Sequence, residues 1–257
     1  VVNCIIEDPL GDYWLGTENG LFYFSFTTGK ILPAAGKLGV NHAYLNSNIT
    51  VLQLDADGGI WIGHSQGISL LNVSKNECTL HFVYETNALS SLLLFNGYVY
   101  VAEGNSVYRL VKDNLHRYSK VQAEQRLLNL PSDVNTLFYD NSFIWIGTGF
   151  GLYRYDPVTE ELRHYQNRPG VVNSLSSDVI TEIRRTKDGP LLIGTLIGLN
   201  IFDYQTNSFR RITSDAGGNS EVLNNNFISA LFVDENMIWI GTEKGGVNVL
   251  KPDQKFF

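Results

Sequence analysis

Five histidines, at positions 42, 64, 81, 116 and 164, are the side chains of this chain best suited to proton transfer or metal ligation, and their spacing argues against both. No two of them form an H-x-H or H-E-x-x-H pair, the spacings that bring two imidazoles to one metal. No serine lies in a G-x-S-x-G turn, and Gly217-Gly218, in the polar stretch Ser214 to Ser220, lacks the Lys-Ser/Thr of a phosphate loop. We therefore expect no catalytic residue, no bound metal and no cofactor. His64 stands where related tetrapeptides carry Thr17, Thr148, Thr195 and Thr242, and is read as a structural variant rather than a base.

What the chain offers instead is hydrogen bonding and stacking. Asn46-Ser47-Asn48, Pro131-Ser132-Asp133, Ser176-Ser177-Asp178 and Asn224-Asn225-Asn226 each follow a leucine and precede an apolar run. Side chains of this kind bond nearby backbone N–H groups in turns, which is their plainest reading. Arranged as a ring at one mouth of a channel they would also grip a polar ligand. His42 and Tyr44 precede Asn46 and add stacking surface, and Arg168 and Asn173 hold the corresponding place before Ser176. That combination of ring faces and hydrogen bonds suits a sugar. The candidate ligand residues are thus His42, Tyr44, Asn46, Asn48, Asp133, Arg168, Asn173, Asp178, Asn225 and Asn226.

The elements that would position them follow from a repeat. Trp14-Leu15-Gly16-Thr17, Trp61-Ile62-Gly63-His64, Trp145-Ile146-Gly147-Thr148 and Trp239-Ile240-Gly241-Thr242 are near copies, with Leu192-Ile193-Gly194-Thr195 and Tyr100-Val101-Ala102-Glu103 more divergent. The glycine position recurs at 16, 63, 102, 147, 194 and 241, in steps of 47, 39, 45, 47 and 47 residues. Such a period marks stacked supersecondary units. The fourth unit reads as strands at Asp133 to Tyr139, Phe143 to Thr148, Leu152 to Tyr155 and Leu162 to Tyr165, joined by tight turns. First strands such as Ile49 to Leu54 are apolar at nearly every residue and are expected to be innermost and covered on both faces. Fourth strands such as Phe209-Arg210-Arg211-Ile212 carry charge and are expected at the outer edge. The indoles of Trp14, Trp61, Trp145 and Trp239 are expected to lie flat between units. Gly16, Gly63, Gly147, Gly194 and Gly241 would then let a neighbouring backbone or ring approach. Four-stranded antiparallel units of this kind make an all-β fold, a β-propeller. We place its blades at about 1–45, 46–88, 89–129, 130–172, 173–221 and 222–257, in one domain. Six units are visible, and a seventh outside the chain is favoured over closure with six.

A formal charge of −7 argues against a nucleic-acid partner, which needs clustered basic residues. Cys4 and Cys78 are read as small apolar residues rather than a disulfide. The chain opens at Val1-Val2 without a basic or apolar leader and has no run of apolar residues long enough to span a bilayer, so we expect a soluble piece of something longer, itself not inserted in a membrane.

The unit Asp-x-x-Gly-x-x-Trp-Ile-Gly-Thr-x-x-Gly-Leu-x-x-Tyr-Asp-Pro, seen at Trp145 to Pro157, resembles the two-component regulator propeller repeat. The resemblance runs along essentially the whole chain and is weakest in the third unit. It implies a periplasmic sensor domain of a Bacteroidetes-type hybrid two-component receptor that detects glycan fragments and regulates their use. It further implies a homodimeric full-length receptor with other domains beyond this segment. No ligand residue carries over from the family, because the shared motif is structural. The alternative is a structural or dimerising propeller whose ligand site lies in a neighbouring domain.

Overall fold

The computed structural model describes residues 1–26, 28–40, 42–74, 77–112, 118–120, 126–140, 142–187, 189–214, 223–234 and 237–251. The backbone packs as two compact units, Val1–Asn129 and Leu130–Phe257. In the first unit, β1 (Val2–Glu7), β2 (Tyr13–Thr17), β3 (Gly20–Ser25) and β4 (Lys30–Pro33) form one antiparallel sheet. A short helix, α1 (Ala34–Leu38), and a 3-10 turn, Ala43–Asn46, lead into the second sheet. That sheet is β5 (Ile49–Leu54), β6 (Ile60–His64), β7 (Gly67–Val73) and β8 (Cys78–Glu85). The third sheet holds β9 (Leu89–Phe95), β10 (Tyr98–Glu103) and β11 (Ser106–Lys112), with β12 (Tyr118–Lys120) and β13 (Arg126–Asn129) both pairing with β11.

In the second unit, β14 (Val134–Tyr139), β15 (Ile144–Thr148), β16 (Gly151–Tyr155) and β17 (Leu162–Tyr165) make the fourth sheet. The fifth is β18 (Ile180–Arg185), β19 (Leu191–Thr195), β20 (Gly198–Asp203) and β21 (Ser208–Ile212). The sixth shows three strands among the described residues, β22 (Ile228–Val233), β23 (Ile238–Thr242) and β24 (Gly246–Leu250). The fold is all-β, and its sheets are propeller blades in which sequence-adjacent strands pair in order. The regular four-strand expectation needs one correction, in the third sheet, and is not tested in the sixth. The outer position of the third sheet is filled by two short strands in line, and the sixth sheet's fourth position lies outside the described residues.

First strands of successive sheets pack on one another, β1 on β5, β5 on β9, β14 on β18 and β18 on β22, so the first strand is the inner one. It is not the most covered. Every residue of β6, β15 and β19 is buried, whereas β5 and β22 keep several positions open. The reason is position within the sheet: a first strand has a paired neighbour on one side only, while a second strand is flanked on both.

The turn between second and third strands needs a residue with positive φ. Gly151 takes φ 116°, and a Cβ there would lie 2.5 Å from the Tyr165 carbonyl oxygen. The repeat glycines serve packing between sheets. A Cβ on Gly16, Gly63, Gly147 or Gly194 would stand 2.8, 2.7, 2.6 or 2.8 Å from Ile49, Leu89, Ile180 or Ile228 of the next first strand. What approaches is therefore an aliphatic side chain, not the backbone or ring expected from sequence.

Each repeat tryptophan is anchored by an aspartate in the preceding turn. The indole N–H donates to Asp8 from Trp14 (2.8 Å), to Asp55 from Trp61 (2.9 Å), to Asp140 from Trp145 (2.6 Å) and to Asp234 from Trp239 (3.3 Å). The other oxygen of each carboxylate accepts turn N–H groups, such as those of Leu10 and Asp12 at Asp8. In the fifth sheet, Leu192 replaces the tryptophan and Thr186 stands in the corresponding turn. Trp14, Trp61 and Trp145 are buried as expected, but Trp239 is 41% exposed.

Candidate functional site

The candidate side chains sit where a loop meets the turn between second and third strands. There Thr17, Thr148, Thr195 and Thr242 close the hairpin, each hydroxyl donating to the carbonyl of Gly20, Gly151, Gly198 or Gly246. The same hydroxyls of Thr17, Thr148 and Thr195 accept the N–H two residues on. His64 takes over this second duty, its Nδ1 accepting the Gln66 N–H at 3.3 Å. Nδ1 is therefore unprotonated, and Nε2 carries the hydrogen toward Ser69 Oγ at 3.0 Å. Burial lowers the His64 pKa to about 4, so the ring is neutral at physiological pH.

Two residues past the turn glycine, the second, fifth and sixth sheets carry a polar side chain, Ser69, Asn200 and Asn248. In the fifth sheet Asn200, fully buried, accepts the Ser176 N–H at 2.9 Å and donates to Ser176 Oγ, which also bonds Thr195. In the sixth, Asn248 does the same for Asn224, accepting its N–H at 3.1 Å and donating to its side chain at 2.7 Å. These trios tie the loop before a first strand to the next hairpin.

The second sheet replaces the trio with rings. Tyr44 is buried and stacks on His64, centroids 4.6 Å apart and planes 14° apart. His42 also stacks on Tyr44, at 5.0 Å and 7°. Phe82, 47% exposed, flanks both Tyr44 and His64 at 5.8 and 5.9 Å. The result is a column of three parallel rings running from buried His64 to exposed His42. Burial raises the Tyr44 pKa, and the bond with Ser69 opposes that only in part. Since Tyr44 itself is buried, the ring surfaces open to a ligand here are those of exposed His42 and Phe82.

The fifth sheet's loop is held differently. Arg211 donates from Nε to the Ser174 carbonyl at 2.8 Å and from Nη2 to Ser174 Oγ at 2.7 Å and the Val171 and Leu175 carbonyls at 2.9 and 2.8 Å. Asn167 donates to the Leu175 carbonyl, and the Phe209 N–H bonds the Asn173 carbonyl at 2.9 Å. On this braced loop the side chains of Arg168 and Asn173 are exposed.

Several predicted residues are committed to the fold. Asp178 Oδ1 accepts the Asn167 N–H at 2.6 Å, and its carbonyl accepts that of Gly151. Asn226 repeats this with the N–H groups of Ser214 and Gly198. Asn225 caps the Phe227 N–H at 2.8 Å, and Asn48 accepts from Asn3 at 2.8 Å. These four serve as turn and staple residues. Asn46 and Asp133 are exposed, Asn46 beside the aromatic column and Asp133 at the start of the fourth sheet. The structure thus brings together His42, Tyr44 and Asn46, and separately Arg168 and Asn173. Sequence reading missed Ser69, Phe82, Asn200, Asn248 and Arg211. The available signal was register: Ser69 pairs across the strands with Phe82, and Asn200 with Arg211.

Among the described residues no group of three His, Cys, Asp or Glu could hold a metal, and no helix is long and apolar enough to cross a membrane. Cys4 and Cys78 are free thiols, and Cys4 Sγ lies 2.5 Å from where a Gly16 Cβ would stand, so it packs as a small apolar group. Its pKa is pushed up to about 11 by burial.

No curated protein matches the chain by sequence. Among solved structures, it is similar to the extracellular domain of a protein described as a hybrid two component system of B. thetaiotaomicron. Identity is 22% with a TM-score of 0.70, over 96% of this chain and 33% of that one. It is also similar to PorZ, a surface component of the type-IX secretion system of Porphyromonas gingivalis, at 16% identity and TM-score 0.70, over 98% of this chain and 38% of that. Virginiamycin B lyase of Staphylococcus aureus shares the fold at 13% identity and TM-score 0.57, covering 98% of this chain and 84% of that chain. The chain thus spans about a third of the length of that extracellular domain. Residues 43–66, which run from the aromatic loop through Trp61-Ile62-Gly63-His64, match the family described as Two component regulator propeller. Near copies of that tetrapeptide hold the second strand of the first, fourth and sixth sheets.

Proposed function

We propose that this chain is the ligand-sensing propeller of an extracytoplasmic receptor in a two-component signalling system, that it recognises an oligosaccharide, and that it is a binding module rather than an enzyme. The observation that carries the sensor reading is the family repeat in a fold similar to an extracellular domain of a hybrid two-component protein. The sugar reading rests on the second sheet and the loop before it, where His42 and Phe82 offer exposed rings, both near Tyr44, and Asn46 is exposed. A pyranose stacks its C–H face on such rings while side-chain amides bond its hydroxyls. The receptor would act in the periplasm as a homodimer with further domains, and ligand would signal by binding one dimer geometry better than the other.

Calorimetric titration of the purified chain with plant, host and microbial oligosaccharides tests this. We expect saturable binding to one sugar class, weakened roughly fivefold by His42→Ala or Phe82→Ala with the fold unchanged, the loss of one stacking contact being worth about 1 kcal/mol. A titration flat for every sugar, in this chain and with neighbouring domains restored, sinks the sugar reading. One observation favours a second reading: Asn48, Asp178, Asn225 and Asn226 are occupied by backbone or side-chain partners of the fold. If binding occurs only with the neighbouring domains present, this propeller is a scaffold.

A further inference from the structure

The fourth sheet gathers a set of rings that the repeat does not prescribe. Tyr153 is buried and lies face to face with His164, its cross-strand partner, with centroids 4.0 Å and planes 1° apart. His164 is exposed, and Phe150, in the hairpin turn, is 48% exposed and stands 5.8 Å from it. The second sheet and its loop assemble the same ring types, buried Tyr44 against exposed His42 with exposed Phe82 nearby. His42 precedes a first strand whereas His164 lies in a fourth strand, so the likeness does not come from the repeat register.

The polar atoms beside the fourth-sheet rings are set by one backbone carbonyl. His164 Nε2 lies 2.9 Å from the Phe150 carbonyl oxygen, which can only accept, so this nitrogen carries the hydrogen. Nδ1 of the neutral ring is then an acceptor with no partner among the described residues. Gln166 Nε2 donates to the same carbonyl at 3.4 Å, which leaves its Oε1 as a second acceptor without a partner among the described residues. Both side chains flank the hairpin glycine: a Cβ on Gly151 would lie 2.7 Å from His164 Nε2 and 3.2 Å from Gln166 Cγ. Two acceptors disfavour an anion, and exposed Arg168 is offset by exposed Asp133 at the start of the same sheet.

We propose that the fourth sheet holds a subsite for a neutral saccharide, with Phe150 and His164 as stacking surface and His164 Nδ1 and Gln166 Oε1 accepting sugar hydroxyl hydrogens. A pyranose supplies both partners, an apolar C–H face for the rings and hydroxyl donors for the acceptors. The subsite presupposes the sugar-binding reading of the chain and adds to it a site within the second compact unit.

Proton–carbon NMR of protein carrying carbon-13 at the histidine Cε1 tests this, with His164→Gln and His42→Gln assigning the two lines. The probes are cellohexaose, mannohexaose, xylohexaose and maltohexaose, with hexagalacturonate as the anionic control. We expect the His164 line to shift saturably with at least one neutral probe. Phe150→Ala should weaken that response roughly fivefold with the circular dichroism spectrum unchanged, and His42→Ala should leave it in place. A His164 line that stays still while the His42 line responds overturns the subsite and leaves the second-sheet reading standing. Both lines silent with every probe overturns the subsite and counts against the sugar reading as a whole. A His164 response to hexagalacturonate alone overturns the neutral class, and one undiminished by Phe150→Ala overturns the stacking surface.

Discussion

Asp140 accepts hydrogens from four groups at once: the Trp145 indole at 2.6 Å, the Tyr204 hydroxyl at 2.5 Å and the backbone N–H of Ser142 and Phe143. Burial, reinforced by the bond to this carboxylate, raises the Tyr204 pKa, which keeps the phenol a donor. Asp234 plays the same part for an exposed Trp239 at 3.3 Å. Hydrogen bonds to a buried charge contribute more than solvated ones, so Asp140→Asn should lower unfolding free energy by about 2 kcal/mol and Asp234→Asn by under about 1. Urea titrations that give equal losses would contradict the anchor argument. His64 supplies a pH effect. Its folded pKa, about 4, lies below the ordinary 6.5, so between these values the unfolded chain binds the extra proton and stability falls as pH drops from 6.5 toward 4. Going from pH 7 to 5, His64→Thr, which restores the residue of the other turns, should remove on the order of 1 kcal/mol of that loss. An unchanged pH profile in chemical denaturation would show that His64 is not the group responsible.

At the scale of the element, each blade is a hairpin meander whose second strand carries the packing and whose turns carry the variation. The second strand is uniform because its glycine and large apolar partner must meet the next sheet in one geometry. Gly147→Ala places a Cβ 2.6 Å from Ile180, and overpacking of this kind costs about 1–3 kcal/mol. Gly241→Ala meets nothing closer than 3.4 Å and should cost under about 1 kcal/mol in residues 1–257. Thermal unfolding of the two variants checks the contrast. The turn position two residues after the hairpin glycine is the variable one: Ser69, Tyr153, Asn200 and Asn248 occupy it in four sheets. Tyr153 stacks there on His164 at 4.0 Å, a second pair of rings in the place where the second sheet has its column.

At the scale of the molecule, the function proposed needs both a scaffold that holds its loops still and a surface that distinguishes ligands. The loop braced by Arg211 and the ring column on His64 are two such surfaces, one in each compact unit. Sugar binding that weakens in His42→Ala or Phe82→Ala is the expectation that belongs here, and calorimetry decides it. Much of the architecture was legible beforehand. A tetrapeptide returning every 39 to 47 residues, with glycine turns and strand-length apolar runs, determines antiparallel blades through local rules of turn geometry and strand propensity. Those rules act within a few residues, so strand order and the outer position of Leu162–Tyr165 could be read directly. The candidate site was legible only as composition. Whether Asn226 faces a ligand or caps Ser214 depends on a partner 12 residues away, and whether Tyr44 offers a face depends on His64. Such partners are chosen by cross-strand register and by how a loop folds back on the next hairpin, and a single residue type records neither. The sequence by itself determined the blade, because its signals are local and repeated. Only the tertiary structure decided which polar side chains remain open and which first strands enter which glycine notch, because both depend on partners far away in the chain.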